Sequence, residues 1–216
     1  MSQNAALRES VVQACIDMNA SGLNQGTSGN ISVRQDGGML ITPSGIAYDQ
    51  MKPEDLVFVS DNGTFAEDAV PSSEWRFHLA ALRARPEANA IVHNHAMHCA
   101  IVSILNKPIP AIHYMVATAG GTDIPVVEYA TYGTQELSDY VAAGLKNRKA
   151  ILLRHHGMIA TGPTLASAMW LAVEVETLAR MYVNLLQITD APPCLSDEQM
   201  RVVLKKIESY GLREKA

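Results

Sequence analysis

Short apolar stretches joined by tight turns constrain this chain more than any other feature. Residues 31–33 and 39–41 flank Gln35-Asp36-Gly37-Gly38, a hairpin signal. A strand over 56–60 ends in the turn Asp61-Asn62-Gly63, and short strands over 150–153 and 158–160 are broken at His155-His156-Gly157. Residues 90–95 and 124–127 also read as strands. Hairpin connections imply antiparallel neighbours. Helical spacing appears over 4–19, where Leu7, Val11, Val12, Cys15 and Met18 share a face, and again over 96–105, 134–146 and 196–209. Pro71-Ser72-Ser73-Glu74 reads as a helix start, with hydroxyls at the cap and an acid in the first turn, and that helix stops before Pro86. Residues 163–188 read as a long helix with Pro163 in its first turn. Strands and helices alternate without a strict βαβ rhythm. The expected fold is α/β: a three-layer α/β/α sandwich with a mixed, mainly antiparallel central sheet.

Composition narrows the function. With 216 residues, 48% of them hydrophobic, the chain can form one domain spanning 1–216 with a full core. A net charge of −5 argues against nucleic-acid binding. Cys15, Cys99 and Cys194 are far apart and form no CxxC pair, which fits a reducing cytoplasm and excludes a cysteine zinc site. No apolar run reaches the ~20 residues of a membrane span. The expectation is a cytoplasmic protein without a membrane or nucleic-acid partner.

The histidines carry the chemistry. His93 and His95 lie on a predicted strand, so their side chains share a face. Two imidazoles one pleat apart can share a metal ion. His155 or His156, next to Gly157, offers a third, and Glu74 offers a carboxylate. Such a set makes a four-coordinate divalent site, with zinc the natural occupant. His78 competes with Glu74, one helical turn on, and His98 competes from three residues past His95. His98 and His113 read better as hydrogen-bonded structural groups.

Gly26-Thr27-Ser28-Gly29-Asn30, Thr42-Pro43-Ser44-Gly45 and Ser72-Ser73 have a common chemistry. Each offers backbone N–H groups, hydroxyls or glycines that permit close approach. Together they can cradle an anion without Lys or Arg, and Ser72-Ser73 precedes a helix N-terminus. The glycines do not match a nucleoside-triphosphate loop.

The segments GLNQGTSGNISVR (22–34), MLITPSGI (39–46), PSSEWRFH (71–78), VHNHAMHCA (92–100), IPAIHYM (109–115), LLRHHGMIA (152–160) and SYGLR (209–213) span nearly the whole chain. In this order they resemble the class II aldolase family, the aldolase/epimerase group. The resemblance implies an α/β/α fold and zinc, one ion per subunit, on His93, His95 and His156, with Glu74 as fourth ligand. It selects His156 because the family's third ligand directly precedes the glycine. It further implies a phosphate pocket of Gly29, Asn30, Ser44, Gly45, Ser72 and Ser73, with Thr27 nearby. Glu74, Tyr114 and Tyr210 become catalytic residues, the two tyrosines donated by a neighbouring subunit of a homotetramer. The implied substrate is a small phosphorylated sugar. The implied reaction is reversible cleavage of L-fuculose 1-phosphate, or a similar ketose 1-phosphate, to dihydroxyacetone phosphate and L-lactaldehyde through a metal-stabilised enediolate. A 4-epimerase of the L-ribulose-5-phosphate type is the alternative within the family, and a non-catalytic interaction protein the alternative outside it. Tyr132 departs from the family's usual Phe, and Ser28 from a common Ala.

Overall fold

The computed structural model describes residues 3–207. The chain begins with α1 (Gln3–Ala20), then enters β1 (Asn30–Gln35) and β2 (Gly38–Ile41) through the predicted hairpin. β3 (Val57–Ser60) adds to β2, and α2 (Trp75–Ala84) leads to β4 (Ala90–Asn94). α3 (Met97–Ile104) and a 3₁₀ turn (Tyr114–Ala119) precede β5 (Val126–Val127) and α4 (Gln135–Leu145). β6 (Ala150–Leu153), β7 (Gly157–Gly162), α5 (Leu165–Leu186) and α6 (Asp197–Ile207) complete the described chain.

The strands form one seven-stranded sheet in the order β3-β2-β1-β4-β7-β6-β5. Only the β5–β6 pair is parallel. The period-2 alternation of the strands builds two cores. Met39, Ile41, Val59, Ile91, Ile151 and Ile159 face one side and pack with Phe77, Leu82, Leu137 and Val141 of α2 and α4. Ile31, Val33, Leu40, Val92, Leu152 and Ala160 face the other and pack with α1, α3 and α5. Each of the larger side chains among them contributes roughly 1.5–3 kcal/mol of burial. The expected sandwich and its mixed, mainly antiparallel sheet are therefore present.

The helix starts of α2 and α5 differ from expectation in the residue that caps them. α5 begins after Pro163, because Thr164 and Ser167 exchange side-chain and backbone hydrogen bonds in a capping box there. α2 begins at Trp75, so Glu74 occupies the capping position and lies outside the first turn. Its backbone N–H donates to the Ser72 hydroxyl at 3.3 Å, and its carboxylate is turned inward. That inward turn serves the site and leaves the helix without a side-chain cap.

Candidate active site

The site gathers at one end of the central strands. β4 and β7 are antiparallel neighbours, with His93 opposite Ile159 and Asn94 opposite Met158. His156 lies in the β6–β7 turn just before Gly157. A Cβ on Gly157 would come 2.3 Å from the Asn94 carbonyl oxygen, so only glycine lets the turn approach β4 this closely. His155 precedes it in the left-handed region at φ 54° and is exposed. That turn aims the next side chain, His156, at Glu74. The strand pattern delivers the other pair: His93 Nε2 and His95 Nε2 are 3.2 Å apart.

The donor atoms of His93, His95 and His156 all lie within 4.8 Å of one another. Glu74 completes the group, with Oε2 3.2 Å from His93 Nε2 and Oε1 3.2 Å from His156 Nε2. Donors about 2 Å from a tetrahedral zinc stand about 3.3 Å apart, so these spacings suit a four-ligand ion. The protonation pattern suits one as well. His93 Nδ1 lies 2.9 Å from the Met158 carbonyl, an acceptor, which places a hydrogen on Nδ1 and makes Nε2 the ring atom that faces the cluster. Burial, reinforced by the His93 ring, pushes the pKa of His95 down to about 4 and that of His156 down to about 3. Both are neutral at physiological pH and keep their lone pairs. Burial works against an ionised Glu74, but the His93 ring, then His156 and the Asn30 amide, outweigh it and hold its pKa down to about 2. Glu74 Oε1 is buried and accepts no hydrogen bond. A divalent cation would satisfy that oxygen and the facing imidazole nitrogens together.

Beside the cluster is a cavity of about 410 Å³. It is lined by Thr27, Gly29, Asn30, Ser44, Gly45, Ser72, Ser73, Glu74, His95 and His156, so all seven residues expected to hold phosphate share one wall with the metal group. A Cβ on Gly29 would come 2.9 Å from the His93 carbonyl oxygen, and the Tyr48 hydroxyl donates to the Gly29 carbonyl. Asn30 spans Glu74 and His78 with its amide. The cavity also takes in Tyr129 and His155, for which only the histidine carried a sequence signal. Tyr132 lies on the same wall. His98 and His113 are structural as expected: His98 pairs with Glu176, and His113 accepts from the Met115 N–H. Tyr114 is not on this wall; it lines a separate apolar cleft with Val203, Lys206 and Ile207. Tyr210 lies outside the described residues.

Comparison with known proteins places this geometry. Residues 9–183 match the family described as Class II Aldolase and Adducin N-terminal domain. The chain belongs to the class II aldolase family. It is 57% identical over 213 residues to the L-fuculose phosphate aldolase of Escherichia coli (strain K12), covering 99% of both chains. It is 51% identical to a 5-methylthioribulose-1-phosphate/5-deoxyribulose-1-phosphate aldolase of Escherichia coli O45:K1 (strain S88 / ExPEC), covering 96% of this chain and 97% of that one. A solved L-fuculose 1-phosphate aldolase superposes with a TM-score of 0.90 at 36% identity, covering 94% of this chain and 97% of the other. This class II aldolase is accordingly a lyase of a metal-dependent family, and its three imidazoles could hold the metal. None of its described helices is long and apolar enough to cross a membrane.

Proposed function

We propose that this class II aldolase is a zinc enzyme that reversibly cleaves L-fuculose 1-phosphate, or a closely similar ketose 1-phosphate, to dihydroxyacetone phosphate and L-lactaldehyde. The observation that carries the reading is the convergence of three imidazoles and a carboxylate beside a pocket of hydroxyls and amides. His93, His95 and His156 hold the ion, with Glu74 as the resting fourth ligand. When bound, the cation supplies a Lewis acid that stabilises negative charge on the ketone end as the carbon–carbon bond breaks.

The remaining steps belong to the chain. Thr27, Gly29, Asn30, Ser44, Gly45, Ser72 and Ser73 hold the phosphate and fix the substrate's orientation. The backbone N–H groups there bind the anion despite the chain's net negative charge. Glu74, released as substrate enters, moves the carbon-bound proton of dihydroxyacetone phosphate, as base in condensation and as acid in cleavage. Tyr114 from a neighbouring copy donates a proton to the aldehyde oxygen in condensation, and Tyr210 contributes from the same direction. The working form is a homotetramer of single-domain subunits in the cytoplasm.

The relatives named for 5-methylthioribulose 1-phosphate and 5-deoxyribulose 1-phosphate give a specific reason to keep a second substrate in view. These sugars have the phosphate end in common with L-fuculose 1-phosphate and differ at the other end. Tyr129, Tyr132 and His155 line the same cavity without belonging to the phosphate set, and we assign the discrimination of that other end to them. The test is kcat/KM on all three sugar phosphates, with L-ribulose 5-phosphate as a control for epimerisation. The highest value is expected for L-fuculose 1-phosphate. Conversion of L-ribulose 5-phosphate without aldol cleavage would reject the aldolase assignment.

A further inference from the structure

His78 is a fully buried titratable side chain that the reaction leaves unused. It lies one turn past Glu74 on α2, and both ring nitrogens are engaged. Nδ1 is 2.7 Å from the Ser32 hydroxyl, and Nε2 is 2.5 Å from Asn30 Oδ1. Asn30 Nδ2 in turn donates to Glu74 Oε2 at 3.0 Å. Ser32 and Asn30 stand two apart on β1, on the face turned toward α2, so β1 supplies two members of a continuous line, α2 a third and its capping residue Glu74 the fourth. The line runs Ser32, His78, Asn30, Glu74. Phe77 stacks on the His78 ring, with centroids 4.9 Å apart, and closes this side to water.

Chemistry at one end fixes every role along the line. The ionised Glu74 carboxylate can only accept. Asn30 must therefore turn its NH₂ toward Glu74 and its carbonyl oxygen toward His78. His78 must then donate from Nε2, which leaves Nδ1 to accept from the Ser32 hydroxyl. The flipped Asn30 would set a carbonyl oxygen against the carboxylate, acceptor against acceptor, between two buried side chains.

We propose that His78 is a positioning residue for Glu74: as an Nε2–H donor anchored by Ser32, it holds the Asn30 amide in the one orientation that directs a hydrogen bond to the Glu74 carboxylate. The inference rests on the acid–base role proposed for Glu74. A carboxylate that must move a proton at a defined carbon needs a defined orientation, and this line provides a directed donor that reaches it from inside the fold. The hydroxyls of Ser44, Ser72 and Ser73 are outside the line, and Asn30 is the one phosphate-pocket residue within it, so loss of His78 acts mainly on turnover and less on substrate binding. Burial keeps His78 neutral, with a pKa lowered to about 3, so the arrangement persists across the neutral range.

Two measurements test it. Nitrogen-edited NMR of the histidine rings in the metal-free wild-type protein, with His78 assigned by its loss in His78→Gln, is expected to show the Nε2–H tautomer. An Nδ1–H tautomer would overturn the proposal whatever the activity. Kinetics on ketose 1-phosphate, with metal reconstituted to the wild-type level, read the consequence. His78→Leu is expected to lose kcat by about 10- to 100-fold, with a smaller change in KM through Asn30. His78→Gln, whose amide N–H can reach the place of Nε2, is expected to recover most of that loss. A loss expressed through KM alone, or equal losses in the Leu and Gln variants, would overturn the proposal. If His78→Leu does not fold, Ser32→Ala carries the kinetic test: a lowered kcat supports the line and an unchanged kcat overturns it. Wild-type protein inactive on every ketose 1-phosphate would overturn the aldolase reading, and the tautomer then decides the hydrogen-bonded line alone.

Discussion

His155 and His156 are adjacent, yet they have different surroundings. His155 takes the left-handed backbone of the β6–β7 turn, is exposed and meets the edge of Tyr129 at 6.1 Å between centroids. His156 turns inward, 3.2 Å from Glu74 Oε1. His156→Ala should therefore lose metal, because two imidazoles and a carboxylate remain where a closed set needs one more donor. His155→Ala should keep it. Metal analysis of the purified variants checks both, and a metal-free His155→Ala would reassign the ligand. Glu74→Gln probes a different property. The amide keeps the shape and one acceptor oxygen, so the three imidazoles still hold metal, but the group can no longer take up a proton. Turnover is expected to fall by about 10²- to 10⁴-fold, measured as aldol cleavage at matched metal content.

At the scale of elements, α5 holds the start of α3. Ala96 at the α3 capping position offers no side-chain acceptor. Glu176 of α5 fills that role: Oε1 accepts from the His98 N–H at 3.1 Å and Oε2 from the Cys99 N–H at 3.0 Å, while the His98 ring pairs with Oε1 at 2.7 Å. α3 begins two residues after His95, so this cap also anchors one side of the metal group. Glu176→Ala should cost about 1–3 kcal/mol by leaving two N–H groups without an acceptor, read as a lower urea midpoint, and should weaken metal binding in a titration. The sequence marked His98 as a hydrogen-bonded structural group but not its partner, because Glu176 lies 78 positions away and in no motif. The same limit applies to Asn30, whose glycine-loop setting announced an anion site but not its reach to Glu74 across 44 positions. What was legible followed from short periods. Alternation along β4 put His93 and His95 on one face, and turn residues marked the hairpins. Glu74 was legible as a neighbour of the imidazoles but not in its backbone role, since an acid after two serines reads as first-turn helix. Only the demand of the imidazoles explains why it stays outside α2.

At the scale of the whole molecule, the question is how a tyrosine remote from the cavity can serve it. Tyr114 is 46% exposed and opens a 3₁₀ turn that packs on α6, in a cleft that includes none of the metal group. The family resemblance implies that its hydroxyl acts on an aldehyde at the site of another copy of the chain. A closed symmetric oligomer does this by giving each site residues from two subunits. The arrangement makes a prediction that a self-contained site does not. Glu74→Gln and Tyr114→Phe are each expected to be nearly inactive as purified. Mixed as unfolded chains in equal amounts and refolded together, they should regain activity, because some sites then combine Glu74 from one chain with Tyr114 from the other. With random assortment about a quarter of the sites are restored. Light scattering on the same samples should give a mass four times the 23.4 kDa of one chain. Were Tyr114 to act within its own subunit, every site in the mixture would carry one lesion or the other, and the refolded sample would stay as inactive as its parents.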